Sequence, residues 1–167
     1  AGNDGSNNDV FDTYPANYNV PNVVSVAALD RTDNLAWFSN FGLNSVDLGA
    51  PGVDVYSSVS GSDTGYSSFS GTSMACPHVA GVAALLLAYD PNMTVGALKS
   101  RLNGTVTPIA ALQGRSISGG RVNAFAALNM VEDGIMELRA WAAVDPLPEN
   151  SLVDMYVQVT DLNPVLG

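Results

Sequence analysis

Gly71-Thr72-Ser73-Met74-Ala75-Cys76-Pro77-His78-Val79-Ala80-Gly81 runs straight into Val82-Ala83-Ala84-Leu85-Leu86-Leu87-Ala88-Tyr89. A glycine free of side-chain limits precedes a small hydroxyl residue, the type that helix N-caps prefer, so a helix is expected to begin at or near Ser73. From Val79 to Tyr89 the run is apolar on every side, which predicts a fully buried helix. Its eleven residues are too few to span a bilayer. A serine there sits at the positive end of the helix dipole, beside backbone N–H groups that lack an intrahelical partner. An oxyanion would be stabilised in that place. Pro77 cannot donate to the carbonyl of Ser73 and its ring crowds that carbonyl, so some opening of the helix is expected at the serine.

On the residues alone, Ser73 could be a plain N-cap. The whole string from Gly71 to Gly81, however, resembles the serine motif of the subtilisin-like serine peptidases, with Cys76 at the variable position of that pattern. The hydrolase elbow Gly-x-Ser-x-Gly fits less well, because Ala75 stands where its second glycine would be. The opening Ala1-Gly2-Asn3-Asp4-Gly5 is similar to the family's oxyanion motif. By that resemblance the Asn3 side chain donates to the tetrahedral oxyanion, and the backbone N–H of Ser73 is the second donor. Composition alone would make Asn3-Asp4-Gly5 an ordinary turn.

The likeness continues in the same order through Tyr14-Pro15-Ala16, Pro21 to Ala28, Phe38 to Gly42, Asp47 to Gly52 and Tyr66 to Ser70, and it covers residues 1 to about 130. It implies a three-layer, doubly wound α/β fold with a mostly parallel sheet, and serine endopeptidase activity through an acyl-enzyme. It also implies that Thr13, Tyr14 and Pro15 floor the pocket for the substrate residue preceding the cut bond. In the family, the aspartate and histidine that activate the serine lie upstream of the oxyanion asparagine, which here is residue 3. The chain is therefore expected to be the C-terminal half of a catalytic domain, inactive by itself, with the missing N-terminal half as its partner and polypeptide as its substrate. Secretion follows from the resemblance only.

His78 is the one histidine. Five helical positions from Ser73 give a rise of about 7.5 Å and a rotation of about 140°, so it faces away from the hydroxyl. A general base must come within about 3 Å, or one water, of its proton, and the position of His78 excludes it from that role.

Catalysis calls for no cofactor, but the resemblance implies a structural calcium at Asp47, with the carbonyls of Pro21 and Val23 as co-ligands. A carboxylate with carbonyls is a ligand set calcium accepts. The alternative is a surface aspartate in the turn before Ala50-Pro51-Gly52. Cys76, the single cysteine, reads as a small buried hydrophobe. Asn92-Met93-Thr94 and Asn103-Gly104-Thr105 match a glycosylation pattern short enough to arise by chance.

Sixteen acidic against six basic residues give a formal charge of −10 and a pI near 4.1, which argues against nucleic acid or an anionic membrane as partner. With 167 residues and 47% hydrophobic content, the chain can build one core. Strands are expected at Val23–Ala28, Ser45–Leu48, Val53–Tyr56 and in two pieces flanking Gly119-Gly120. A hairpin tip or a loop is expected at Gly61–Gly65, a helix capped by Thr94 and ended by Gly104, and a last helix at Asn123–Asn129. Residues 131–167 read as a linker with two strands, Leu138–Val144 and Val153–Val159, joined by a turn at Asp145–Pro148. They fit either the start of an appended β domain or a tail strand pair. A non-catalytic, peptide-binding relative of the peptidases is the second reading of function. A structural module defined by the tail is the third.

Overall fold

The structure, a computed structural model, describes residues 1–61, 63–129, 136–142 and 155–161. It divides into two units, Ala1–Ala127 and Leu128–Gly167. The expected linker at 131–134 and the turn at Asp145–Pro148 lie outside the described residues.

The first unit is a mixed α/β structure with a mostly parallel sheet. Its strands β1 (Val26–Leu29), β2 (Leu48–Pro51), β5 (Thr107–Pro108) and β6 (Gly120–Arg121) stand in the order β1-β2-β6-β5. The β1-β2 and β2-β6 pairs are parallel and β5-β6 is antiparallel. β1 is buried along its whole length, as parallel strands covered on both faces are. Ala27 and Leu29 pack with Val46 and Leu112 into the core of the unit.

β1 starts three residues later than expected because Ser25 is tied across rather than along the sheet. Its N–H donates to the Asp47 carboxylate at 2.8 Å, while its carbonyl accepts from Asp47 N. β3 (Val55–Ser58) and β4 (Tyr66–Phe69) form an antiparallel hairpin, so of the two readings of Gly61–Gly65 it is the hairpin connection rather than a simple loop. β3 begins after Val53 because Asp54 takes a left-handed φ of 53°, which stops the extended run there.

α1 spans Thr72–Tyr89 and packs on β1 and β2. Its onset is one residue before Ser73, and it passes through Pro77 unbroken. The expectation of burial on every side is corrected. Only Thr72, Ala75, Val79, Val82 and Leu86 are buried, a single stripe at helical spacing, while Leu85, Leu87 and Tyr89 are exposed. An all-apolar sequence fixes no orientation, so the sheet selects one face and leaves the other open. Cys76, 100° around from Ala75, falls off that stripe and is exposed rather than buried. The bilayer argument also changes. At 18 residues with a mean hydropathy of 1.4, α1 is long and apolar enough to cross a membrane, and what argues for a globular setting is its packing on the sheet.

α2 (Val95–Gly104) has the predicted cap: Thr94 Oγ1 accepts from Ala97 N at 3.2 Å. α3 (Ala124–Asn129) is opened by Asn123, whose Oδ1 accepts from Ala126 N. In the second unit β7 (Met136–Ala142) and β8 (Met155–Asp161) pair antiparallel, close to where the two tail strands were expected.

Candidate active site

The head of α1 is held by a residue from the other end of the sequence. Asn3 Oδ1 accepts from Thr72 N at 2.9 Å and from Thr72 Oγ1 at 3.0 Å, and Gly2 N donates to Thr72 Oγ1. The helix thus takes its cap from Asn3 instead of from Ser73; its own cap residue, Gly71, has no side chain to offer. Ser73 is displaced to the second helical position and is exposed.

This arrangement decides which donors stay free. Thr72 N is taken by Asn3, and Met74 N and Ala75 N both reach Gly71 O. Among the described interactions Ser73 N has no acceptor. With its oxygen committed to Thr72, the Asn3 carboxamide has its Nδ2 available as a donor. A methyl carbon placed on Gly71 would stand 3.6 Å from Asn3 Nδ2, 3.7 Å from Ser73 N and 3.7 Å from Met74 Sδ. Both nitrogens therefore lie within 4 Å of one point beside Gly71, at the positive end of the α1 dipole. Gly71 itself is fixed by Gly71 N donating to Gly52 O at 2.8 Å, which ties the serine turn to the end of β2.

The loop carrying Asn3 is organised by Asn40, fully buried in the unit. Asn40 Oδ1 accepts from Asp4 N at 2.8 Å and from Ser6 N at 3.1 Å, while Nδ2 donates to Asn8 Oδ1 at 2.9 Å and Thr13 Oγ1 at 3.1 Å. Gly2, at φ 120°, has to be glycine, since a Cβ there would collide with Asn40 Nδ2. Sequence reasoning quoted Asn40 inside a longer match and gave it no role. An asparagine between Ser39 and Phe41 carries no local sign that it bonds backbone more than 30 residues away. Asn40→Leu is expected to leave several buried partners unpaired and to lower stability by about 2–4 kcal/mol, measured by urea unfolding of the full-length protein.

A cleft of about 750 Å³ opens beside Ser73. Thr13, Tyr14 and Pro15 line it together with Ser73, Cys76 and Ala80, so the structure brings the expected pocket floor and the serine to one cavity. His78 is exposed, and its Nδ1 lies 2.9 Å from Met74 O, one helical turn back; Nδ1 acts as the donor in that contact. That engagement agrees with excluding it as a base for Ser73.

The expected cation residues behave differently. Asp47 is buried, and its carboxylate receives Ser25 N, Asn103 Nδ2 and the Lys99 ammonium, the last at 3.0 Å. Lys99 Nζ also donates to Val23 O at 2.6 Å. The alternative of a surface aspartate in a turn is therefore excluded by burial. A divalent ion does not fit the set as it stands, because a protein cation already joins the two oxygens it would need. Asn103, committed to Asp47, is also withdrawn from the glycosylation reading.

An exposed serine at the head of a helix, with the Asn3 carboxamide and the Ser73 N–H beside it, stands on a mostly parallel α/β sheet. Residues 1–130 match the family model Peptidase_S8, described as the subtilase family. The chain belongs to that family. It is 42% identical over 127 residues to alkaline elastase YaB of Bacillus sp. (strain YaB), an alignment that takes in 76% of this chain and 31% of the relative. To subtilisin DY of Bacillus licheniformis it is 44% identical over 107 residues, 64% of this chain and 36% of the relative. A solved structure of a protease from Pseudoalteromonas arctica matches with a TM-score of 0.67 at 37% identity, over 77% of this chain and 40% of that one. The chain spans about a third to two fifths of the length of these relatives.

Proposed function

We propose that this chain is part of a secreted serine endopeptidase, in which Ser73 is the nucleophile and Asn3 with Ser73 N forms the oxyanion hole. The proximity of Asn3 Nδ2 and Ser73 N to one point beside Gly71, at the helix head that carries Ser73, is the observation that supports this reading. Ser73 Oγ attacks the scissile carbonyl carbon, and its proton passes to a base. The carbonyl oxygen becomes an oxyanion between the two donors, and collapse expels the amine to leave an ester on Ser73. Water then releases the acid product and restores the hydroxyl. Thr13, Tyr14 and Pro15 form one wall of the pocket for the residue preceding the cut bond.

The base and its orienting carboxylate come from a segment upstream of Ala1 in the full-length protein. Among the described residues no imidazole contacts the Ser73 hydroxyl, and the chain's one histidine is engaged with Met74 O. The exposed small apolar face of α1, through Ala80, Gly81 and Ala84, also supports a partner segment packing next to the serine. Secretion rests on family membership.

A serine-directed fluorophosphonate probe tests the reading. The 167-residue chain alone is expected to stay unlabelled over the time in which the full-length protein is labelled stoichiometrically at Ser73. Rapid labelling of the chain alone would overturn the need for an upstream base. A full-length protein that folds and is not labelled would favour a non-catalytic peptide-binding role.

A further inference from the structure

We propose that Lys99 is the resident cation of the Asp47 site, so that this site takes no calcium while the lysine is present, and that removing the ammonium uncovers a latent calcium site. Lys99 Nζ lies 2.6 Å from Val23 O and 3.0 Å from Asp47 Oδ1. It joins three parts of the fold: the segment leading to β1, the residue before β2, and α2. Calcium bonds oxygen at about 2.3–2.6 Å. An ion bonded to both of these oxygens would have to enter the space of the ammonium, against its positive charge. The Asp47 carboxylate is, besides, already shared among three donors.

Once the ammonium is gone the site offers calcium a carboxylate, a carbonyl and room for further oxygens. The buried carboxylate and the Val23 carbonyl remain, and a cavity of about 270 Å³ adjoins them, lined among others by Asn17, Asn19, Asn44 and Ser45. Asn17 Oδ1 already accepts from Thr13 N and Ser45 Oγ donates to Asp9, so the shell of about six to eight ligands would be completed by the Asn19 and Asn44 oxygens and by water entering the cavity. A lysine can serve in this role because its stem packs while the ammonium reaches its acceptors; only 27% of the side chain is exposed. Lys99 is also the only lysine in the chain, and its charge is spent on a buried site.

The test uses the full-length protein and compares variants, so that calcium sites elsewhere cancel. The parent and Asp47→Asn are expected to bind the same number of calcium ions by isothermal titration. Lys99→Ser is expected to bind one more. In EDTA, Lys99→Ser should melt about 5–10 °C below the parent, because a buried carboxylate has lost its counter-charge, and millimolar calcium should recover most of that loss. Adding Asp47→Asn to Lys99→Ser should abolish the recovery. A parent that binds one calcium more than Asp47→Asn would overturn the proposal, as would a folded Lys99→Ser that gains no calcium. If Lys99→Ser does not fold in EDTA, the parent against Asp47→Asn comparison still decides whether the site holds lysine or metal.

Discussion

Ser73→Ala in the full-length protein is expected to lower kcat by about a millionfold, the loss that the corresponding serine deletion causes in subtilisin, while leaving KM and stability nearly unchanged. The size follows from what the hydroxyl does: without an oxygen on Cβ no acyl-enzyme forms. The remaining rate is then whatever oxyanion stabilisation and substrate positioning give to attack by water. Stability should hold because Ser73 is exposed and does not cap α1, a task that falls to Asn3. Had Ser73 been the N-cap, the same substitution would have cost about 1 kcal/mol as well. Steady-state hydrolysis of a peptide substrate together with thermal melting separates the two cases. A loss of turnover below about a hundredfold would remove Ser73 from the role of nucleophile.

That the cap is Asn3 could not be read in the sequence, although both residues could. Ser73 and Asn3 each sit in a contiguous motif, and short motifs are legible because their chemistry is local. The bond between Asn3 and Thr72 joins residues 69 apart and depends on how the sheet brings the chain's start to the head of α1. The same limit hid Asn40 and Lys99. At Asp47 the resemblance pointed to calcium, but the cation that meets it is a lysine from α2, and Lys99 and Val23 are 76 residues apart. α2 itself was legible to its cap because Thr94, Gly104 and the apolar spacing between them agree. α1 was misjudged at its surface, since a run of Ala, Gly, Val and Leu gives every face the same polarity. The strands expected at 23–28 and 53–56 were found with shifted ends, where Asp47 bonded Ser25 or Asp54 turned the backbone left-handed, whereas the one expected at 45–48 shares only Leu48 with β2 and one of the two expected around Gly119-Gly120 lies at Thr107–Pro108.

In the proposed mechanism the Asn3 carboxamide divides its two ends between structure and chemistry, and two substitutions should separate them. Asn3→Asp keeps an oxygen that can accept from Thr72 N and Thr72 Oγ1, and a negative charge at a helix head is favourable. Its stability should match the parent. It loses the Nδ2 donor and sets a carboxylate against the oxyanion, so kcat is expected to fall by at least the hundred- to thousandfold known for removing this donor in subtilisin. Asn3→Ala loses both ends. Its kcat should fall by about the same hundred- to thousandfold, and stability should also drop by about 1 kcal/mol as Thr72 N loses its cap. In both variants KM should stay near the parent value, because Nδ2 bonds an oxygen that becomes negative only in the transition state. Equal stability losses in the two variants would show that Oδ1 is not the cap. A fall confined to KM would place Asn3 in ground-state binding, leaving Ser73 N as the only donor to the oxyanion.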